Sequence, residues 1–173
     1  GAFNDNLSVQ QGQLSIQGKG LDARGADQLY LLSRSLLVNA DLYANDLNVV
    51  TGANQINLGT GALSAQAGTG LVPTVTVDVG NLGGMYANSI YMVGTEAGVG
   101  VNSRGKMLAL AGDIQISSAG DLTVIDGQLK AVWDVRANAK RDMTLQGTDV
   151  QAGDNIELVS GRHLNVTATR IDT

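Results

Sequence analysis

Apolar and polar residues alternate along this chain in short bursts, as in Ile114-Gln115-Ile116 and Leu122-Thr123-Val124. A period of two is the signature of a half-buried strand, and each burst is only three to five residues long before a turn. From Asp113 the bursts fall into register. The segments 113–133, 134–154 and 155–173 align on a 21-residue spacing without a gap. Five apolar columns run through all three rows: Ile114, Val135, Ile156; Ile116, Ala137, Leu158; Leu122, Met143, Leu164; Val124, Leu145, Val166; and Leu129, Val150, Ile171. Three short strands per 21 residues close one coil of a parallel β-helix. Each column then stacks on itself about 4.8 Å further along the axis. The prediction is an all-β, right-handed parallel β-helix with about 21 residues per coil. Interior ladders such as Ile114–Val135–Ile156 and Leu122–Met143–Leu164 should be among its most buried positions.

The first hundred residues follow the same grammar less strictly. Leu7-Ser8-Val9, Leu14-Ser15-Ile16, Leu29-Tyr30-Leu31, Leu36-Leu37-Val38, Leu47-Asn48-Val49 and Ile56-Asn57-Leu58 are further apolar triplets with Gly, Asn or Asp between them. The stretch 67–101 differs. It holds the only proline, Pro73, then the run Thr74 to Val79 and the glycine-rich Gly80-Asn81-Leu82-Gly83-Gly84. These features predict a hairpin or other excursion off the helix, interrupting the coils there.

Composition sharpens the class. The 173 residues suffice for one domain with a real core. Aromatics are only 3% of the chain, as expected where a narrow coil interior takes small aliphatics. Of the 16 acids 14 are Asp, a turn former, and there are 23 glycines, which argues against a helical bundle and for short strands joined by tight turns. A net charge of −5 with scattered cations argues against a nucleic-acid surface. Cysteine is absent, which suits passage through an oxidising compartment. No apolar run approaches the ~18 residues of a membrane helix, so no membrane insertion of this segment is expected.

Candidate chemistry is sparse. His163 is the single histidine and shares its column with Asp121 and Asp142, so it reads as a turn residue. One histidine and no cysteine build neither a usual metal site nor a catalytic triad; no catalytic residue, metal ligand or cofactor site is assigned. Asp113, Asp121, Asp134 and Asp142 recur at coil corners. They could serve glycoside chemistry on one face of a β-helix. Each sits just before an alternating pair, however, where a carboxylate caps turn amides. A carbohydrate-active β-helix enzyme is therefore the alternative reading, and a non-enzymatic scaffold the preferred one.

Two stretches resemble a known family. Leu47 to Asn54 reads LNVVTGAN, and Leu82 to Asn102 contains LGGMYAN, then Val93-Gly94-Thr95-Glu96 and Gly98-Val99-Gly100-Val101-Asn102. Both are similar to the haemagglutination-activity, or secretion, domain that opens the exoproteins of bacterial two-partner secretion, of the filamentous haemagglutinin and contact-dependent growth inhibition type. The positions carrying the resemblance are Asn48, Gly52, Asn54, Gly83, Gly84, Met85, Tyr86, Asn88, Gly94, Thr95, Glu96, Gly98, Gly100 and Asn102, expected to act structurally. The glycines among residues 82–102 are expected to supply tight turns and positive φ angles. The family's Asn-Pro-Asn motifs are absent, so residues 1–102 are read as the rear part of a secretion domain and 103–173 as the first haemagglutinin-type repeats.

The resemblance implies a non-enzymatic secretion and scaffold segment of a large adhesin or growth-inhibition toxin. Such a segment passes the periplasm of a Gram-negative bacterium and crosses the outer membrane unfolded, through a dedicated transporter. It then folds at the cell surface or is released. Implied partners are that transporter and, through the full-length protein, receptors on host or neighbouring cells.

Overall fold

Each apolar column of the sequence becomes a rung of one continuous interior ladder. The computed structural model describes residues 5–173. The chain starts with β1 (Asn6–Val9) and then winds through coils of three strands. The first coil is β2 (Gln13–Ile16), β3 (Leu21–Asp22) and β4 (Gln28–Ser33); the second is β5 (Ser35–Val38), β6 (Asp41–Tyr43) and β7 (Asp46–Thr51). Two strands off the helix follow, β8 (Asn54–Asn57) and β9 (Leu63–Ala65). The coils resume with β10 (Val75–Val79), β11 (Gly84–Ala87) and β12 (Ser89–Gly94), then β13 (Gly100–Ser103), β14 (Lys106–Ala109) and β15 (Ile114–Ser118). They continue with β16 (Leu122–Ile125), β17 (Gln128–Ala131) and β18 (Val135–Ala139), then β19 (Met143–Gln146), β20 (Asp149–Gln151) and β21 (Ile156–Ser160). A last partial coil holds β22 (Leu164–Thr167) and β23 (Arg170–Asp172).

Stacked coils make three parallel sheets, of seven, seven and six strands. The first face runs β2-β5-β10-β13-β16-β19-β22, the second β3 to β23, and the third β4 to β21. Register follows the 21-residue columns throughout the repeat: Ile114 pairs with Val135 and Val135 with Ile156, Leu122 with Met143 and Met143 with Leu164, and Leu129 with Val150 and Val150 with Ile171. The core is one cluster along the axis. Methionine supplies four of its larger rungs, Met85, Met92, Met107 and Met143, where an unbranched thioether fills a narrow interior.

Two expectations need correcting. Ile114, Val135, Leu122 and Met143 are fully buried, but the third-row rungs Ile156 and Leu164 are not, Leu164 being 45% exposed. Among the described residues no strand pairs with the far side of β21, β22 or β23, so these rungs are covered on one side only. The excursion is also displaced. It begins at Asn54 rather than near 67, and β10 to β13, within the stretch assigned to it, are ordinary coil strands. The strands that leave the helix are β8 and β9, antiparallel to each other, with β1 antiparallel on the outer edge of β8. Leu7 and Ile56, which read as coil rungs, face each other across that outer sheet.

Candidate functional site

The excursion departs after Ala53 and returns by Thr74, and a polar cluster closes the gap it leaves. At the corner between β4 and β5, Arg34 is buried, its side chain only 5% exposed. Its guanidinium grips Glu96 with two hydrogen bonds, Nε to Oε2 at 3.1 Å and Nη2 to Oε1 at 2.7 Å. Its Nη1 donates to the carbonyl of Thr69 on the returning limb, at 2.6 Å. The Glu96 bonds raise the guanidinium's already high pKa further, so the charge is permanent.

Glu96 is aimed by its neighbours. Thr95 donates its backbone N–H to the Thr51 carbonyl at 3.0 Å, and its hydroxyl lies 2.7 Å from Asn54 Oδ1. Asn54 in turn donates from Nδ2 to the carbonyls of Thr51 and Gly52. Gly52 has φ +106, and a Cβ there would fall 2.5 Å from the Thr95 hydroxyl, so only glycine fits this turn. Gly94 is buried against Thr76, whose hydroxyl donates to the Arg34 carbonyl at 3.1 Å. Gln66 secures the other side of the excursion, bonding the carbonyls of Val9 and Asn54 and the hydroxyl of Ser8.

Five of the family-like positions thus converge here: Gly52, Asn54, Gly94, Thr95 and Glu96. The others are spread over the rod. Asn48 faces outward on the third face between Tyr30 and Tyr91. On the second face Met85 fills the interior between Leu42 and Met107. Tyr86 stacks on Tyr43 with ring centroids 5.1 Å apart, and Arg24 lies over the Tyr43 ring. Gly84 lies beneath the Tyr86 ring, and Asn88 donates its N–H to the Asn45 carbonyl. Asn102 belongs to the outward ladder of the first face, between Asp78 and Thr123.

Turns do close at Gly80–Gly83 and at Glu96–Val99, but the positive φ expected of these glycines is mostly absent. Among Gly83, Gly84, Gly94, Gly98 and Gly100 only Gly98 has a positive φ, +79. Gly83 is there because a Cβ would sit 2.3 Å from the Val38 carbonyl oxygen of the coil below. Sequence reasoning also passed over Arg34, the centre of the cluster. A lone cation inside the apolar run Leu29 to Val38 was the available signal.

The corner acids act between coils. Asp113 Oδ1 accepts the Asp134 N–H at 3.0 Å, and Asp134 Oδ1 accepts the Asn155 N–H at 2.9 Å. Asp121 and Asp142 do the same for Asp142 and His163. Hydrogen bonds from Arg162 and then His163 hold the Asp142 carboxyl below the usual carboxylate range. Among the described residues no cluster of His, Asp or Glu has the arrangement of a metal site.

Set against known proteins, residues 1–124 match the family described as TPS secretion domain. The chain belongs to this family. Relatives include the Toxin CdiA of Yersinia pestis, 44% identical over 131 residues. The tRNA nuclease CdiA of Yersinia mollaretii is 39% identical over 173 residues, covering 90% of this chain, and the 16S rRNA endonuclease CdiA of Enterobacter cloacae is 43% identical over 157, covering 91%. The chain spans only 4% to 6% of the length of these relatives. In the crystal structure of the filamentous hemagglutinin secretion domain the same fold recurs, with a TM-score of 0.61 at 21% identity, over 93% of this chain and 54% of that one. The secretion domain is therefore a parallel β-solenoid of the two-partner type, a kind recognised by a partner transporter and carried through the periplasm to the cell surface.

Proposed function

We propose that this secretion domain works without catalysis, as the export-competent base of a contact-dependent growth inhibition toxin, and that its family-like residues act through the folded rod. The observation that carries this reading is where those residues go. Gly52, Asn54, Gly83, Gly84, Met85 and Gly94 are buried in ladders, close approaches and the polar cluster, and of the fourteen only Asn88 and Gly98 are exposed. A surface that recognised a partner in the folded state would present them to solvent. The transporter therefore reads the extended chain in the periplasm, since a folded rod is wider than the lumen of a small barrel. Coils contact only their neighbours, so a chain emerging at the surface folds as it appears.

The nuclease names of the relatives describe proteins some twenty times longer; in this reading that chemistry belongs to regions beyond the segment, as does receptor binding. The segment itself binds no nucleic acid, its net charge being −5. The family-like positions end at Asn102, and the strict 21-residue repeat begins at Asp113; this supports a division into a rear secretion part, 1–102, and first repeats, 103–173. The carboxylates an enzyme would need at the corners are each engaged with a backbone amide of the next coil.

The test is secretion. Expressed behind a signal peptide with a cognate transporter, the segment alone is expected to stay in the periplasm. Preceded by the Asn-Pro-Asn half of a related secretion domain, it is expected to reach the medium. Efficient secretion of the segment alone would overturn this division, and polysaccharide turnover by the purified rod would overturn the scaffold reading.

A further inference from the structure

We propose that Arg34 is the positioning residue that seats the excursion, and that it can do so only after Glu96 has joined it, so that this ion pair orders the folding of the domain. The excursion's returning limb lies directly on the guanidinium. A Cβ at Gly68 would come within 2.4 Å of Arg34 Cζ, and the next residue, Thr69, accepts the Nη1 hydrogen bond. Seating the limb therefore buries the cation. A buried guanidinium with a single carbonyl partner is strongly unfavourable, whereas one gripped by a carboxylate on its other edge is not.

The carboxylate comes late. Thr69 lies 35 residues after Arg34, but Glu96 lies 62 after it. Glu96 reaches its place only when Thr95 bonds Thr51 and Asn54, which follows the pairing of β12 with β7 in the third coil. Two events far apart in sequence, docking of the limb and zipping of the third coil, are thus coupled through one side chain. For a chain that emerges from its N-terminal end, which rests on the reading above, the excursion stays undocked until about a hundred residues are outside.

Refolding of the purified chain tests the coupling without any transporter, so the outcome is independent of the secretion experiment. Pulse-labelled hydrogen exchange follows the Thr69 and Gln66 amides, which bond Gln10 and Ala53, against those of β12 and of β5 to β7. In the wild type the Thr69 and Gln66 amides are expected to gain protection together with β12 and after β5 to β7. In Glu96→Gln, native-state exchange at both amides should quicken by about a hundredfold while β16 to β20 stay unchanged, as removing one member of a buried pair exposes the other. Gly68→Ala should give the same local loosening by pushing the limb off the guanidinium, with Glu96 intact. Arg34→Lys, which keeps the charge but not the two-pronged grip, should fall between. Protection of Thr69 before β12 in the wild type, or unchanged exchange there in both Glu96→Gln and Gly68→Ala, would overturn the proposal.

Discussion

The carboxylate of Asp113 accepts a hydrogen bond from the backbone N–H of Asp134, 3.0 Å away and one full coil further on. Asp134 repeats the gesture toward Asn155, accepting from both its backbone N–H at 2.9 Å and its side-chain amide at 3.0 Å. The turn amides that these acids cap belong to the same corner of the next coil. A corner N–H that the sheet ladder cannot reach is satisfied, and adjacent coils are tied at the point where they bend. Replacing Asp134 by Ala leaves the Asn155 amide without its acceptor and takes from Arg136 the nearest of its three carboxylate partners, Asp113 and Glu157 remaining. The expected loss is about 1–3 kcal/mol by chemical denaturation. Asp134→Asn keeps an acceptor oxygen and should lose less, whereas equal losses for the two variants would show that charge, not the amide bond, is what matters.

A second corner is set by backbone conformation. Asp126, Gly147 and Ala168 occupy one column, with φ of +52, +59 and +47. Glycine takes this left-handed conformation freely and Asp tolerates it, but Ala pays through its Cβ. Ala168→Gly is therefore expected to stabilise the rod by about 0.5–1 kcal/mol, and Gly147→Ala to destabilise it by about 1–2 kcal/mol. Thermal melts of the two variants check the opposite signs.

How much of this was legible beforehand depends on period. From Asp113 onward every pairing follows the 21-residue columns, because coils of equal length keep their rungs in register. Before that, coil length varies: 18 residues separate the paired Leu29 and Leu47, and 24 separate Val77 and Val101. The alternation survives while the spacing does not. Alternation is also the same in a parallel coil and an antiparallel hairpin, so Ile56-Asn57-Leu58 looked like a rung and Thr74 to Val79 like a hairpin. Glycines were read only in part. The turn suggested by Gly83 is there, its N–H bonding the Gly80 carbonyl at 2.9 Å, but neither Gly83 nor Gly84 has the expected positive φ; both also mark close packing, Gly83 under the Val38 carbonyl and Gly84 beneath the Tyr86 ring. The polar cluster was half legible. Gly52, Asn54, Thr95 and Glu96 stood out by resemblance, while Arg34 did not, because its meaning lies in a partner 62 residues away.

Acid should loosen one exposed corner in a defined window. The hydrogen bonds of Arg24 hold the Asp22 carboxyl down from 3.8 to about 2. The folded state therefore binds this proton more weakly than the unfolded chain. The associated stability is present above pH 3.8 and is lost as pH falls toward about 2. An NMR titration should place the Asp22 midpoint near about 2, and Arg24→Gln should return it toward 3.8. Because the pair is solvent-exposed, raising the salt concentration should narrow the difference. An Asp22 midpoint that ignores Arg24→Gln would assign the shift to another cause.

The interior ladder gives the most severe prediction. Met143 is fully buried between Leu122 below and Leu164 above, with the axial core on its inner side. Aspartate at this rung would place an unpaired carboxylate among aliphatic side chains, with no cation or amide of the ladder in reach. Either the charge is buried or the carboxyl stays protonated at neutral pH; both are costly, and the loss should exceed about 4 kcal/mol. Met143→Leu conserves volume and should lose less than about 1.5 kcal/mol. Since contacts run only between neighbouring coils, the damage in Met143→Asp should be local before it is global. Hydrogen exchange should quicken first in β16, β19 and β22, while the amides of β5 and β7 hold. A Met143→Asp variant that melts within a degree or two of the wild type would mean that this column does not face the interior.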